Sequence, residues 1–284
     1  LILSFLPSGC EPVRQDDAGQ EALLKSRQEQ MAKLGVASMR TFALGPQGDT
    51  LGPVSETAFR PDGQPARSEV RRGPGLLRRT DYRYDSLGKL VEEEELDSAG
   101  SRLRLLRCHY TAQGLLASKR MEQPNWVREF AFSYDSAGRL ASCAERAFAP
   151  ESPEQPLEAV ETRYAYRQDQ CVSESYYALG PEGEPALLAE KRFFYDPRGR
   201  KTGEQYAEGP DMELVEERRW KYNQQGLPKF MEVHLPTPEG GLALSHQESY
   251  SYYPNGLLRE ALTGSGRDQL LRRQCHEIRY REKP

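Results

Sequence analysis

The stretch Tyr82-Arg83-Tyr84-Asp85-Ser86-Leu87-Gly88-Lys89-Leu90 decides the fold, because the chain repeats it. Close copies are Phe132-Ser133-Tyr134-Asp135-Ser136-Ala137-Gly138-Arg139-Leu140 and Phe193-Phe194-Tyr195-Asp196-Pro197-Arg198-Gly199-Arg200-Lys201. Looser copies are anchored on Phe59, Tyr110, Tyr166, Tyr222, Tyr252 and Tyr280, and successive anchors lie 25, 26, 24, 32, 29, 27, 30 and 28 residues apart. A period of this size marks an array of small supersecondary units that bury apolar surface only by stacking on their neighbours.

With the anchor aromatic as position 0, Asp at position 1 and Gly at position 4 give the residue order of a type I turn closed by a left-handed residue. This is a three-residue hairpin with a G1 bulge. Gly occupies position 4 in seven of the eight copies that continue past the anchor, Gln170 being the exception. The turn pairs position 1 with position 5 and position 0 with position 6. Asp85 then meets Lys89, Asp135 meets Arg139 and Asp196 meets Arg200. By the same rule Tyr84 meets Leu90, Tyr134 meets Leu140 and Tyr166 meets Val172. Aromatic–aliphatic cross-strand pairs contribute roughly 0.2–1 kcal/mol each.

Side chains alternate along a strand, so position −2 shares a face with position 0. Eleven of the fifteen tyrosines occupy those two positions. One face is therefore an apolar, tyrosine-rich ladder, and the other, with residues such as Arg83, Ser133, Lys221 and Ser251, is solvated. The turn also accounts for Asp85, Asp135 and Asp196, since Asp at the first corner accepts backbone hydrogen bonds. That reading is preferred to calcium ligation.

The far strand ends carry charged runs such as Glu92–Glu95 and Glu216–Arg219, and Pro/Gly/Glu-rich connections at Ala149–Pro156, Leu179–Pro185, Gly209–Met212 and Leu235–Gly241. Asp97-Ser98-Ala99-Gly100 repeats the tight-turn chemistry between strands near 90–96 and 102–110. The expected fold is all-β: an antiparallel meander of about eight to nine hairpin repeats, sixteen to eighteen strands, over residues 36–284. So wide a twisted sheet curls into a barrel-like or wrapped shape. A closed barrel of that strand number is too wide for side chains to fill. Glu21–Leu34 carries a loose helical stripe, predicting a short N-terminal helix that caps the first hairpin or plugs the sheet.

Leu1–Cys10 reads as the end of a secretory signal, with Ser8 and Gly9 before Cys10 resembling a lipobox and Cys10 as the lipidation site. Pro7 stands where that pattern has Leu. Residues 11–35 form a polar tether and the helix. Cys108, Cys143, Cys171 and Cys275 remain, either as two disulfides or as small buried thiols.

A net charge of −4 provides no basic surface for nucleic acid, which is not an expected partner. His109, His234, His246 and His276 show no metal-ligand spacing, and no nucleophile elbow, P-loop or dinucleotide fingerprint occurs. No catalytic residue, metal or cofactor is therefore assigned. Trp126, Tyr176, Tyr177 and Tyr206, near the long-loop ends, are the candidate aromatic contacts for a partner, although strand packing also uses such residues.

At Tyr84-Asp85-x-x-Gly88-x-Leu90 and its counterparts, the sequence resembles the YD (Rhs-type) repeats of bacterial polymorphic toxins, wall-associated proteins and animal teneurins. The resemblance covers about residues 36–284. It implies hairpin units that wind into a curved sheet, often credited with carbohydrate binding. With the lipobox-like start, the chain is similar to short repeat-bearing lipoproteins anchored in the outer membrane of Gram-negative bacteria. The expected function is a non-enzymatic binding or scaffold module for an envelope protein or a carbohydrate. The alternatives are a structural shell without a specific ligand and an enzyme that uses paired carboxylates on polysaccharide.

Overall fold

A computed structural model describes residues 28–44, 49–152, 154–180, 185–265 and 270–280. The call on Cys10, the signal-like segment and the tether therefore lies outside the described residues, as does the first part of the expected helix. Residues 28–34 are helical (α1) and Gly35 closes the helix with a left-handed φ of 65°.

Eighteen strands follow. The first nine are β1 (Val36–Leu44), β2 (Thr50–Phe59), β3 (Pro65–Arg72), β4 (Gly75–Tyr84), β5 (Leu90–Asp97), β6 (Arg102–Tyr110), β7 (Leu116–Gln123), β8 (Trp126–Tyr134) and β9 (Leu140–Phe148). The rest are β10 (Glu158–Arg167), β11 (Gln170–Leu179), β12 (Pro185–Tyr195), β13 (Lys201–Glu208), β14 (Glu213–Tyr222), β15 (Pro228–Pro236), β16 (Leu242–Tyr252), β17 (Leu258–Ser265) and β18 (Leu270–Tyr280). Each pairs antiparallel with its sequence neighbour, and β1 also pairs with β18, from Val36↔Tyr280 to Leu44↔Arg273. The sheet is thus a closed barrel without an edge, the form that removes unpaired strand groups altogether.

The turn chemistry explains the register. Asp85 N–H donates to Lys89 O at 2.9 Å and Gly88 N–H to Asp85 O at 3.1 Å, and the same pair of bonds recurs at Asp135 and Asp196. Gly88, Gly138 and Gly199 hold φ of 78°, 77° and 77°, a region where a Cβ is strained. Asp135 Oδ1 accepts from the Ala137 and Arg139 N–H groups while Oδ2 takes the Arg139 guanidinium at 2.7 Å. Asp196 repeats this with Arg198 and Arg200, so both oxygens of these carboxylates serve the turn. Lys89 instead reaches sideways, its Nζ donating to the Gly114 carbonyl of the next turn at 2.8 Å.

Position 0 faces position 6 at Tyr84↔Leu90, Tyr134↔Leu140 and Tyr195↔Lys201. The Tyr166 repeat departs from expectation: Tyr166 pairs with Cys171, not Val172. Arg167 pairs with Gln170 around a two-residue loop in which Gln168 takes the positive φ of 56°. Gln170 replaces the closing Gly, so the five-residue turn is not available there and the hairpin tightens by one residue.

Seven anchor tyrosines also lock one repeat to the previous one. The hydroxyls of Tyr84, Tyr110, Tyr134, Tyr166, Tyr195, Tyr222 and Tyr252 donate to the carbonyls of Pro65, Leu90, Leu116, Leu140, Cys171, Lys201 and Pro228, at 2.6–2.9 Å. Each acceptor is the residue that pairs with the preceding anchor aromatic, from Phe59↔Pro65 to Tyr222↔Pro228. Tyrosine is needed here because its ring packs on the ladder while its hydroxyl satisfies a carbonyl at the rim.

The handedness of the closure assigns the faces. Partner by partner, Tyr82 leads to Glu93, Leu106, Met121, Arg128, Ala147 and Glu158, drifting away from the tight-turn rim. A sheet with right-handed strand twist, sheared in that sense, closes with the face of Tyr82 inward. The tyrosine ladder therefore lines the inner wall. A round section of eighteen strands is roughly 30–35 Å across, too wide for opposite walls to fill with side chains. Burial accordingly runs along the wall: Leu106, Cys108, Met121, Phe130 and Cys143, from β6 to β9, form one cluster, with Tyr110, Phe132 and Tyr164 packed against it.

The outer wall is charged. Arg83–Glu92, Arg107–Glu92 (3.6 Å), Arg107–Glu122 (3.5 Å), Arg120–Glu122 (2.9 Å) and Arg120–Glu129 run from strand to strand around it. Each exposed pair contributes about 0–1 kcal/mol. The long stems also shield apolar groups: Leu105, on this charged face between Glu94 and Glu122, is only 1% exposed.

α1 caps the first hairpin, one of its two expected positions. Its Gln28 carbonyl and Ala32 nitrogen lie against Gly63 in the β2–β3 turn, and the Gln30 amide donates to the Asn255 carbonyl in the β16–β17 turn. It thus bridges the turns on either side of the β18–β1 seam, where no hairpin exists, and Val36 next to it is fully buried. At the opposite rim, Thr237–Gly241 was read as part of a long connection; it is a tight turn of the Asp85 type, with Thr237 N–H on Gly241 O at 2.8 Å.

Candidate functional site on the inner wall

Four candidate aromatic contacts sit within strands and are half-buried. Trp126 opens β8 on the inner wall, with the Arg128 guanidinium 5.0 Å from its ring centroid. Tyr177 faces outward on β11 beneath the Arg163 guanidinium at 4.5 Å. Only Tyr176 and Tyr206 come together, because β12 between them carries Lys191 and Ala189 on the same face.

The register builds this patch. Glu174 pairs with Lys191 and Tyr176 with Ala189 across β11–β12, while Lys191 pairs with Tyr206 and Ala189 with Glu208 across β12–β13. Ala189 projects a single methyl and is buried, 5% exposed. The Lys191 ammonium sits 5.9 Å from the centroids of both Tyr176 and Tyr206, a position that favours cation–π attraction to each. The Tyr176 hydroxyl donates to Glu174 Oε2 at 2.5 Å and the Tyr206 hydroxyl to Glu208 Oε2 at 3.0 Å. Burial and the adjacent Glu208 carboxylate push the Tyr206 hydroxyl up to about 12.

Toward the tight-turn rim the wall continues as Phe193, Glu204 and Lys201. Lys201 Nζ donates to Glu204 Oε2 at 3.0 Å and lies over both Phe193 (5.1 Å) and Trp220 (4.7 Å). Burial opposes the charge of Glu204, but Lys201 and Lys191 beside it hold its carboxyl below the usual range. On β9, burial outweighs Arg128, 2.7 Å away, and raises Glu145 above it. The result is a wall of half-buried rings and hydrogen-bonded carboxylates, of which Glu208 is exposed and Glu174 and Glu204 are buried.

Lys191, Glu174, Ala189 and Glu204 were not legible as site residues. The pairing of β11 with β12 skips Leu188, just beyond the site, while Ala189, Lys191 and Phe193 keep the period-two alternation; which residues of β11 and β13 stand beside them is set by the register across two hairpins. The four cysteines outside the signal-like segment are free thiols, Cys108, Cys143 and Cys171 buried and Cys275 partly exposed. Burial raises Cys143 to about 12, which keeps it protonated and unreactive.

No family model and no curated protein matches the chain. Among solved structures it is similar to a porin-like protein from Bacteroides vulgatus at 12% identity, covering 87% of this chain and 99% of that one with a TM-score of 0.43. A porin-like protein from Bacteroides uniformis gives 11% identity, 87% and 97% coverage and a TM-score of 0.41. The Photorhabdus luminescens Tc holotoxin pore gives 15% identity and a TM-score of 0.40 over 79% of this chain. This chain spans only 13% of that toxin chain.

Proposed function

We propose that the chain is a YD-repeat lipoprotein of the cell envelope, anchored through Cys10 and acting as a non-enzymatic binding module for a carbohydrate or protein partner. The observation that carries this reading is the patch of Tyr176, Lys191 and Tyr206 beside the exposed Glu208. It offers the two things a glycan site uses, aromatic faces and fixed polar acceptors. The lipobox-like start and the repeat array support the envelope location.

The test is a glycan array probed with the purified chain, beside a pull-down from envelope extracts, using wild type, Tyr176→Ala, Tyr206→Ala and the outward Tyr177→Ala. Loss of a ligand in the first two variants and its retention in the third supports the reading. Retention in all three places the ligand elsewhere, and no ligand in either format favours a structural shell.

A further inference from the structure

The outer wall has a second concavity, at the seam where β1, β2, β3 and β18 meet. It encloses about 720 Å³ and is lined by Arg40, Arg71, Arg72 and Arg279, with Glu56 as the one carboxylate of the lining. Four arginines and Glu56 line it, and Glu277 and Glu69, paired with Arg40 and Arg71, bring the local charge to +1 on a chain whose net charge is −4.

The arginines are loosely engaged. Arg40 lies 4.0 Å from Glu277 and Arg279 lies 3.9 Å from Glu56, both at the limit of ion pairing, with two-thirds of the Arg279 side chain exposed. Arg72 has no carboxylate partner among the described residues, whereas Arg71 is held at 2.5 Å by Glu69. The floor is open backbone: a Cβ at Gly52 or Gly73 would meet nothing within 4 Å, and both have positive φ. The groove therefore combines forked donors, exposed peptide groups and the apolar side chain of Val54.

We propose that this groove is a binding site for a small ligand carrying carboxylate or phosphate groups, gripped by Arg40, Arg72 and Arg279. Arginine forks match both oxyanions bidentately, and charge-assisted bonds of this kind are roughly twice as strong as neutral ones. The volume is that of a small-molecule pocket. A long polyanion is disfavoured, because Glu69 and Glu277 flank the groove and would repel its continuation.

The probes are inorganic pyrophosphate and trigalacturonate, each titrated calorimetrically into the folded barrel at about 50 mM and about 300 mM salt. At least one should bind saturably at one site, more weakly at the higher salt. The pair Arg72→Gln and Arg279→Gln should weaken it by about tenfold or more. Arg163→Gln, on the outer wall of β10, should leave it unchanged, and circular dichroism confirms that each variant is folded. Binding of pyrophosphate alone assigns a phosphate ligand, and of trigalacturonate alone an acidic sugar. Binding of neither, or binding indifferent to the Arg72 and Arg279 changes, overturns the proposal. The inner-wall tyrosine variants are separate from these residues, so the two sites fail independently.

Discussion

Replacing Tyr110 with Phe isolates the bond that ties one hairpin to the next. The Tyr110 hydroxyl donates to Leu90 O at 2.8 Å, and Lys89 Nζ lies 5.1 Å from the ring centroid. Phenylalanine keeps the ring, the cation–π contact and the packing against the β6–β9 cluster, and removes only the hydroxyl. A typical intramolecular hydrogen bond contributes about 0.5–1.5 kcal/mol net, so Tyr110→Phe should cost about 1 kcal/mol. For a domain of this size that lowers Tm by roughly 2–4 °C. Tyr110→Ala also loses a half-buried ring, and truncation of a fully buried aromatic costs about 3–5 kcal/mol, so a further ~2 kcal/mol is expected. Urea melts of wild type, Tyr110→Phe and Tyr110→Ala measure both steps. If the Phe variant melts with wild type while the Ala variant falls by the full amount, the tyrosines are there for their rings alone. The hydroxyl locks would then contribute nothing to the barrel.

Gly63→Ala should be more damaging than Gly138→Ala. Both residues have positive φ, worth about 1–2 kcal/mol of strain for a side chain, but only at Gly63 does the new Cβ also strike the α1 backbone. Hydrogen exchange should show α1 and Val36 losing protection in Gly63→Ala only, and equal protection in the two variants would refute docking of the helix on that turn. The tyrosines predict alkaline unfolding. Burial raises Tyr82, Tyr110 and Tyr206 to about 12, above the ordinary value of 10 that applies to the unfolded chain. Their contribution is therefore complete below pH 10 and is lost as pH rises from 10 through 12. Tyrosinate absorbance should rise together with loss of the circular dichroism signal, and titration near pH 10 with the barrel intact would contradict the assignment.

The repeat was legible in the sequence because its determinants are local. Asp85, Gly88 and their counterparts decide a turn within five residues: a carboxylate oxygen accepts two nearby N–H groups and a glycine takes a positive φ at no steric cost. Once the turn is set, the register of each hairpin follows, and with it the tyrosine ladder. The one misplaced pairing, Tyr166 with Val172, arose where Gln170 replaces the closing glycine and the turn chemistry itself changes. Thr237–Gly241 was missed as a tight turn for the converse reason, since Thr replaces Asp at its first corner and does the same work more weakly.

What only the tertiary structure decided is non-local. That β1 meets β18 depends on twist and shear accumulated over eighteen strands, and no short window of sequence records that sum. The choice of inner and outer wall follows from the same accumulated shear. So does the seam groove, whose arginines come from β1, β3 and β18. Lys191 between Tyr176 and Tyr206 was hidden differently: alternation along β12 puts it on the ladder face, but its neighbours on β11 and β13 follow from the register of two hairpins, one of them shifted at Leu188. Turns are settled by the bonds of neighbouring residues, whereas closure and convergence are settled by geometry summed around the whole sheet.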